Sequence, residues 1–213
     1  MIRELLLTPE ELLYLGKLYE GEYLNYSYLQ AVDDIGNNKR SFKAECKAAL
    51  LEKGAIEENL LGDISFNEEI KQLLTPIYFG EFAAVIELYE IGEVNTRKMI
   101  NIHFHEGRYV MNYQKEKDFQ VRQMIEEDLQ QLIITLMPEN YNERVLPTEL
   151  KVSDENLKRV LVIKNARIGE PAVVKCFYDY DSYLCEKGNE GNIYVLSPKE
   201  FFDKAYASLK GGE

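Results

Sequence analysis

The hydrophobic pattern of this chain changes along its length, and that change is the strongest constraint on what it can fold into. Up to about residue 78, apolar residues recur every three or four positions, as on the buried face of an α-helix. From residue 81 to 91 they alternate with other residues, as in a β-strand that buries one face. Blocks of both patterns predict an α+β protein whose helical N-terminal part precedes an antiparallel sheet.

Two capping boxes with proline at the first helical position predict where the first and last helices begin. Thr8-Pro9-Glu10-Glu11 opens a helix that is expected to end near Gly21, and Ser197-Pro198-Lys199-Glu200 opens one that closes at residues 211–212. We expect the helix over 67–74 to stop at Thr75-Pro76. The remaining predicted helices cover residues 27–35, 41–53 and 119–136, with a further helix start over 153–160.

Alternating segments predict the strands. Residues 81–91, 99–104 and 108–113 read as an antiparallel meander, and residues 105–107 form a turn in which Gly107 can adopt positive φ. Later strands are predicted over 172–180 and 192–196. The sheet is therefore expected to be flanked by amphipathic helices.

A short internal match suggests that the sheet has two pseudo-symmetric halves. Gly80 to Val85, with Tyr89, resembles Gly169 to Val174, with Tyr178. If this match is a true repeat, the halves share one sheet. We therefore expect a single α+β domain over 1–213, with a helical part over 1–78, a β-meander plus helix over 79–138, and a second, smaller α+β unit over 139–213.

Charge and cysteine content restrict the class of protein. The chain has 25 Lys and Arg against 37 Asp and Glu, a net charge of −12, which argues against nucleic-acid binding. No apolar run is long enough to span a bilayer and the start does not resemble a signal peptide, so we expect no membrane insertion. Cys46, Cys176 and Cys185 have no CxxC spacing, which predicts buried reduced thiols in a cytoplasmic protein.

Few residues suggest chemistry. The chain has no nucleophile-elbow, P-loop, dinucleotide or HExxH motif, so we expect no catalytic residue and no cofactor. His103 and His105 would share one face of a strand, and with Glu106 they could supply ligands to a metal. The alternative interpretation is two polar residues on a solvated sheet face.

Several tyrosines lie close together near the N-terminus, namely Tyr19, Tyr23, Tyr26 and Tyr28. Tyrosine has a large apolar ring and a polar tip, and it is therefore frequent both in cores and at protein interfaces. The sequence leaves both interpretations of this stretch open.

Three helix-boundary motifs stand out in the segments LTPEELLYL, AALLEKGAIEEN and NEEIKQLLTP. Their key residues are Leu7, Thr8, Glu11 and Leu12 in the first, Leu50 and Gly54 in the second, and Leu74 and Pro76, separated by Thr75, in the third. Together they resemble the EspG-type chaperones of type VII (ESX) secretion systems over the first two thirds of the chain. The remainder agrees in element order only. Because the chain is shorter and more acidic than usual there, the resemblance favours a diverged relative from a type VIIb locus.

The resemblance implies a cytosolic protein that binds the tip of a helical secreted substrate, of LXG or WXG100 type, and passes it to the secretion ATPase. In that family a loop between two sheet strands touches the substrate, and here it corresponds to residues 92–97. Val94 would then be an apolar anchor beside Asn95, with Glu93 and Arg97 at the rim. An ordinary solvent-exposed hairpin loop is the alternative.

Two other functions stay open. An acidic immunity protein could neutralise a basic toxin by charge complementarity, and its association would weaken as salt rises. A metalloenzyme could use His103 and His105, and it would retain stoichiometric metal.

Overall fold

The computed structural model describes residues 4–21, 39–92, 94, 96–115, 118–139, 141, 153, 155–188 and 192–211. The helices in these residues are α1 (Pro9–Leu18), α2 (Lys39–Glu52), α3 (Glu68–Phe79), α4 (Glu126–Thr135) and α5 (Pro198–Leu209). The strands are β1 (Glu4–Leu7), β2 (Ile56–Glu58), β3 (Ile64–Phe66), β4 (Phe82–Glu90), β5 (Thr96–His105), β6 (Arg108–Lys115), β7 (Asp118–Met124), β8 (Leu157–Arg167), β9 (Val173–Tyr180), β10 (Tyr183–Lys187) and β11 (Ile193–Val195). This mixture of helices and antiparallel strands confirms the α+β class.

Nine strands form one sheet in the order β1-β7-β6-β5-β4-β8-β9-β10-β11, while β2 and β3 pair as a separate hairpin. β4 and β9 lie on either side of β8, and both run antiparallel to it. Ile86 of β4 lies opposite Ile163 of β8, and Leu161 of β8 lies opposite Phe177 of β9. This register places β8 in the interior of the sheet.

Contacts divide the chain into two compact units. Unit 1 contains Met1–Glu81 and His103–Gln123, and its core is formed by α1, α2 and α3 together with strand residues such as Val110 and Val121. The fully buried Tyr78 donates a hydrogen bond from its hydroxyl to the carbonyl of Leu12 at 2.7 Å. This bond links α3 to α1 within the core.

Unit 2 contains Phe82–Ile102 and Met124–Glu213. Its helix α5 packs against β8, and the amide of Asn165 on β8 donates to the carbonyl of Ser208 on α5 at 2.8 Å. The rings of Phe177 and Phe201 meet edge to face with their centres 5.1 Å apart. One face of the β8–β9 region is therefore covered by α5.

Both predicted capping boxes are confirmed. Thr8 accepts a hydrogen bond from the N–H of Glu11, whose carboxylate accepts the N–H of Thr8, and Ser197 and Glu200 make the same exchange. The predicted helix over 41–53 is observed as α2, and Gly54 follows it with φ of +64°. The prediction over 27–35 lies outside the described residues.

The predicted helix stop at Pro76 is wrong, because α3 continues through Pro76 to Phe79. A proline inside a helix costs about 3 kcal/mol. Here the last turn buries Ile77 and Tyr78 in the core of unit 1, and burial of two such side chains offsets a cost of that size. Tertiary packing therefore decides where α3 ends.

The predicted helix over 119–136 is correct only for residues 126–135, and the helix start predicted over 153–160 is wrong. Residues 119–136 form strand β7 and then α4, and the helix start predicted at 153–160 overlaps strand β8. In β7 the buried Phe119 and Val121 follow a period of two, and the strand pairs with β1, which the sequence did not predict. The short strands β1 to β3 also mean that residues 1–78 are not purely helical.

The order of elements repeats, since β4 to β7 are followed by α4 and β8 to β11 are followed by α5. The matched segments beginning at Gly80 and Gly169 lead into β4 and β9, which are the first strand of one set and the second strand of the other. That sequence match therefore does not align the two sets of elements. The pseudo-symmetric halves and the division at residues 78 and 138 stay predictions.

Two of the three cysteines are buried, namely Cys46 and Cys185, while Cys176 is partly exposed. Burial raises the pKa of both buried thiols to about 11, so they are protonated at neutral pH. The prediction of buried thiols is therefore correct for two positions and wrong for Cys176. No helix in the described part of the chain is long and apolar enough to cross a membrane.

Candidate functional site

The residues that the sequence analysis singled out lie in the connection between β4 and β5 and at the start of β5. Val94 lies in this connection and its side chain is 79% exposed. Glu93 and Asn95 lie outside the described residues, while Arg97 is the second residue of β5. An exposed valine between two strand ends is available to contact another protein.

The strand ends that carry this connection are held together by polar contacts. Glu90, the last residue of β4, accepts hydrogen bonds from the hydroxyl of Thr96 and the ammonium of Lys98, both at 2.9 Å. The hydrogen bond from Lys98, followed by that from Thr96, lowers the pKa of Glu90. On the other side, the N–H of Ile91 donates to the carbonyl of Lys158 at 2.8 Å. The base of the connection is therefore fixed.

Beside it lies a cluster centred on the carboxylate of Glu87, which is 5% exposed. One oxygen of Glu87 accepts from the guanidinium of Arg97 at 2.6 Å. The other accepts from the ammonium of Lys164 and the hydroxyl of Tyr89, both at 2.9 Å. Arg97 is therefore engaged with Glu87, although its side chain remains about half exposed.

The charges of this cluster are stable at neutral pH. Burial on its own would raise the pKa of Glu87, but hydrogen bonds from Lys164, Arg97 and Tyr89 outweigh it, and the pKa lies below its ordinary value. The bond to Glu87 in turn raises the pKa of Arg97. Because the carboxylate is ionised and bonded to two cations, the cluster can position Arg97 but is not suited to accept a proton in catalysis.

Glu87 and Lys164 were not found by sequence reasoning. Glu87 is one of two acidic residues in β4, and Lys164 is one of four basic residues in β8, so neither stands out in the sequence. Opposite charges on two strands can pair only when those strands are adjacent in the sheet. The sequence did not predict that β4 and β8 are adjacent.

The sheet face that carries Glu87 lies opposite the face covered by α5, because side chains alternate along each strand. Tyr180 on this face is buried, but its other apolar residues in β4, β8 and β9 are half-buried or exposed. They include Val85 and Tyr89 on β4, Val160 and Val162 on β8, and Val174 and Tyr178 on β9. We call these six residues the open face. The Glu87 cluster lies on the same side of the sheet as these apolar residues, so this side carries both apolar and charged side chains.

The structure gives the two histidines, His103 and His105, different surroundings. His103 is 3% exposed, and burial lowers its pKa to about 4, so the interpretation as a solvated residue is wrong for His103. His105 lies with its Nδ1 3.5 Å from a carboxylate oxygen of Glu81. Among the described residues no group of three His, Cys, Asp or Glu side chains is arranged to hold a metal.

One tyrosine of the N-terminal stretch, Tyr19, is partly buried and packs against the core of unit 1. Tyr19 contacts the rings of Phe66, Tyr78 and Phe79, and its hydroxyl is hydrogen-bonded to that of Thr75 at 2.9 Å. The positions 23, 26 and 28 lie outside the described residues. This packing favours the core interpretation for Tyr19, while the other three positions are untested.

Comparison with known proteins bears on the fold of this chain. No protein-family model and no curated protein sequence matches the chain. Among solved structures, the chain is similar to the Mycobacterium tuberculosis type VII secretion system chaperone EspG5, solved in complex with the PE25–PPE41 dimer. The TM-score is 0.61 at 8% sequence identity, and the match covers 97% of this chain and 94% of that chain. At this identity the likeness concerns the fold alone, and the fold of this chain is EspG-like.

Proposed function

We propose that this protein is a chaperone-like binding protein that holds a helical secreted substrate of a type VII-like secretion system. The observation that carries the proposal is the EspG-like fold over nearly the whole chain, since the similar protein is a chaperone in complex with a dimer of other proteins. A role in the cytoplasm, without catalysis, is part of the proposal.

The binding surface in this proposal is the β4–β5 connection with the open face beside it. Val94 inserts between side chains of the helical substrate, and Glu93, Asn95 and Arg97 border it. Support comes from the exposure of Val94 and from the contacts between the two strand ends, because strand ends that are already ordered lose little entropy on binding. A substrate of LXG or WXG100 type, passed on to the secretion ATPase, is the finer form of the proposal.

The test is co-expression of the full chain, carrying an affinity tag, with the helical proteins encoded beside its gene. We expect a complex that stays intact in size-exclusion chromatography at high salt, because apolar contacts dominate it. If no helical protein is bound, the proposal is wrong. If the chain instead holds a basic toxin and releases it as salt rises, the acidic immunity protein is the correct function.

A single substitution tests whether the β4–β5 connection itself contributes to binding. Val94→Glu is expected to weaken the complex by at least about tenfold, because it places an unpaired charge where the proposal has a valine become buried on binding. The matched control is Ile168→Glu, at a residue that is 53% exposed and follows β8. Equal binding by both variants would show that the loop is not in the interface, while the chaperone role could still hold.

A further inference from the structure

The hairpin of β2 and β3 ends in two adjacent leucines that no described part of the chain covers. Leu60 and Leu61 are 106% and 87% exposed, so both side chains lie almost wholly in solvent. Single exposed leucines are ordinary on protein surfaces, but an adjacent pair at the end of a hairpin forms a projecting apolar knob. We call Leu60 and Leu61 the leucine tip. It is separate in sequence from the β4–β5 connection and from the open face.

The loop that presents the leucine tip is held in one conformation. The side-chain oxygen of Asn59 accepts the N–H groups of Leu61 and Asp63, both at 2.9 Å, and its amide donates to the carboxylate of Asp63 at 2.9 Å. Gly62 adopts φ of +87°, and its N–H donates to the carbonyl of Asn59 at 3.0 Å. The two leucines are therefore displayed by a structured turn.

The stem of the hairpin is anchored in unit 1. Ile56 lies opposite Phe66 and is buried in the core, and Phe66 packs against the same core. Glu58 forms an ion pair with Lys47 of α2 at 2.5 Å. The position of the leucine tip in unit 1 is fixed before any partner arrives, so docking there loses little conformational entropy.

The charges around the tip select the kind of partner. Glu57, Glu58 and Asp63 lie within three residues of it, and only Glu58 of the three is paired with a described cation, Lys47. An acidic surround is repelled by the anionic surface of a bilayer, and two acidic tips would repel each other in a dimer. The complementary surface is an apolar pocket bordered by Lys or Arg.

We propose that the leucine tip is a docking site for a second protein partner, whose apolar pocket is bordered by basic residues. The two leucines fill the pocket, and Glu57 and Asp63 pair with its rim. This site is distinct from the proposed substrate surface and does not depend on it.

The test places a photoreactive p-benzoylphenylalanine at position 61 of the full chain in its native host. After irradiation we expect one heterologous protein adduct, whose cross-linked residue, mapped by mass spectrometry, lies in an apolar pocket with Lys or Arg at its border. Leu60→Asp is expected to reduce the adduct by at least about tenfold, and Glu57→Lys is expected to reduce it as well. Ile168→Asp is the matched control and leaves the adduct unchanged.

Circular dichroism of each purified variant is the control for folding. Several outcomes of the cross-linking experiment would overturn the proposal. These are no adduct beyond that obtained with the probe at position 168, an adduct between two copies of the chain, an adduct with the helical substrate, and an adduct insensitive to Glu57→Lys. Binding of the purified chain to phosphatidylglycerol vesicles that is lost with Leu60→Asp would also overturn it.

Discussion

The buried histidine His103 makes the stability of this protein sensitive to mild acid. Burial lowers its pKa to about 4, whereas the ordinary value, expected for the unfolded chain, is 6.5. Below pH 6.5 the unfolded chain therefore binds a proton that the folded chain does not. The contribution of His103 to stability is fully present above pH 6.5, and it decreases as the pH falls towards 4.

The size of this effect follows from the two pKa values. Linkage gives a loss in the free energy of unfolding of about 2 kcal/mol at pH 5, relative to pH 8, rising to about 3 kcal/mol at pH 4. A loss of this size is a large part of the stability of an ordinary domain.

Urea unfolding of the wild type and of His103→Gln at pH 8, 7, 6 and 5 measures this loss in the free energy of unfolding. Glutamine keeps a polar side chain but does not titrate in this range, so subtraction of the two curves cancels the other ionisable groups. We expect the stability of the wild type relative to His103→Gln to fall by about 2 kcal/mol between pH 8 and pH 5. A difference that stays constant over this range would refute the burial argument.

Three other substitutions test the contacts of each unit by the same urea unfolding assay. Tyr78→Phe removes the buried hydrogen bond to the Leu12 carbonyl and is expected to lower the free energy of unfolding by about 1–3 kcal/mol; an unchanged value would contradict that bond. Ser197→Ala removes the N-cap of α5 and is expected to lower the free energy of unfolding by about 1 kcal/mol. No change would mean that the cap is dispensable. Glu87→Gln is expected to reduce stability most at neutral pH. The difference shrinks as the pH falls below the ordinary value of 4.5 and through the lowered pKa of the Glu87 carboxylate, and a pH-independent difference would contradict the ionised state.

The starts of α1 and α5 were predictable because the chemistry of their capping boxes is local. The exchange between Thr8 and Glu11, and that between Ser197 and Glu200, joins residues only three positions apart, so the sequence contains the whole interaction. The alternation that predicted β4 is equally local, since it depends on which side chains of one strand are buried.

The errors occurred where distant partners decide the structure. β7 is a strand because it pairs with β1. Leu5 of β1 lies opposite Val121 of β7, although the two residues are far apart in the sequence. α3 passes Pro76 because the turn that follows is buried. Such information is absent from a window of ten or fifteen residues, and it appears only when the chain is assembled.

The candidate site also has a part that could be predicted from the sequence and a part that could not. The β4–β5 connection was located from the resemblance and from its position between alternating segments, but the contacts of Arg97 were not predicted. Its partner Glu87 also binds Lys164, which lies 77 residues further along the chain. Only the register of β4 against β8 brings these groups together.

Hydrogen–deuterium exchange of the chain, alone and with the helical proteins encoded beside its gene, tests the central claim most directly. The proposed chaperone role predicts slower exchange in the peptides that cover residues 91–97 and in those of the open face on β8 and β9. Unchanged exchange in both regions, while a complex has formed, would contradict the proposed substrate surface. Unchanged exchange along the whole chain, with no complex formed, would contradict the chaperone role itself.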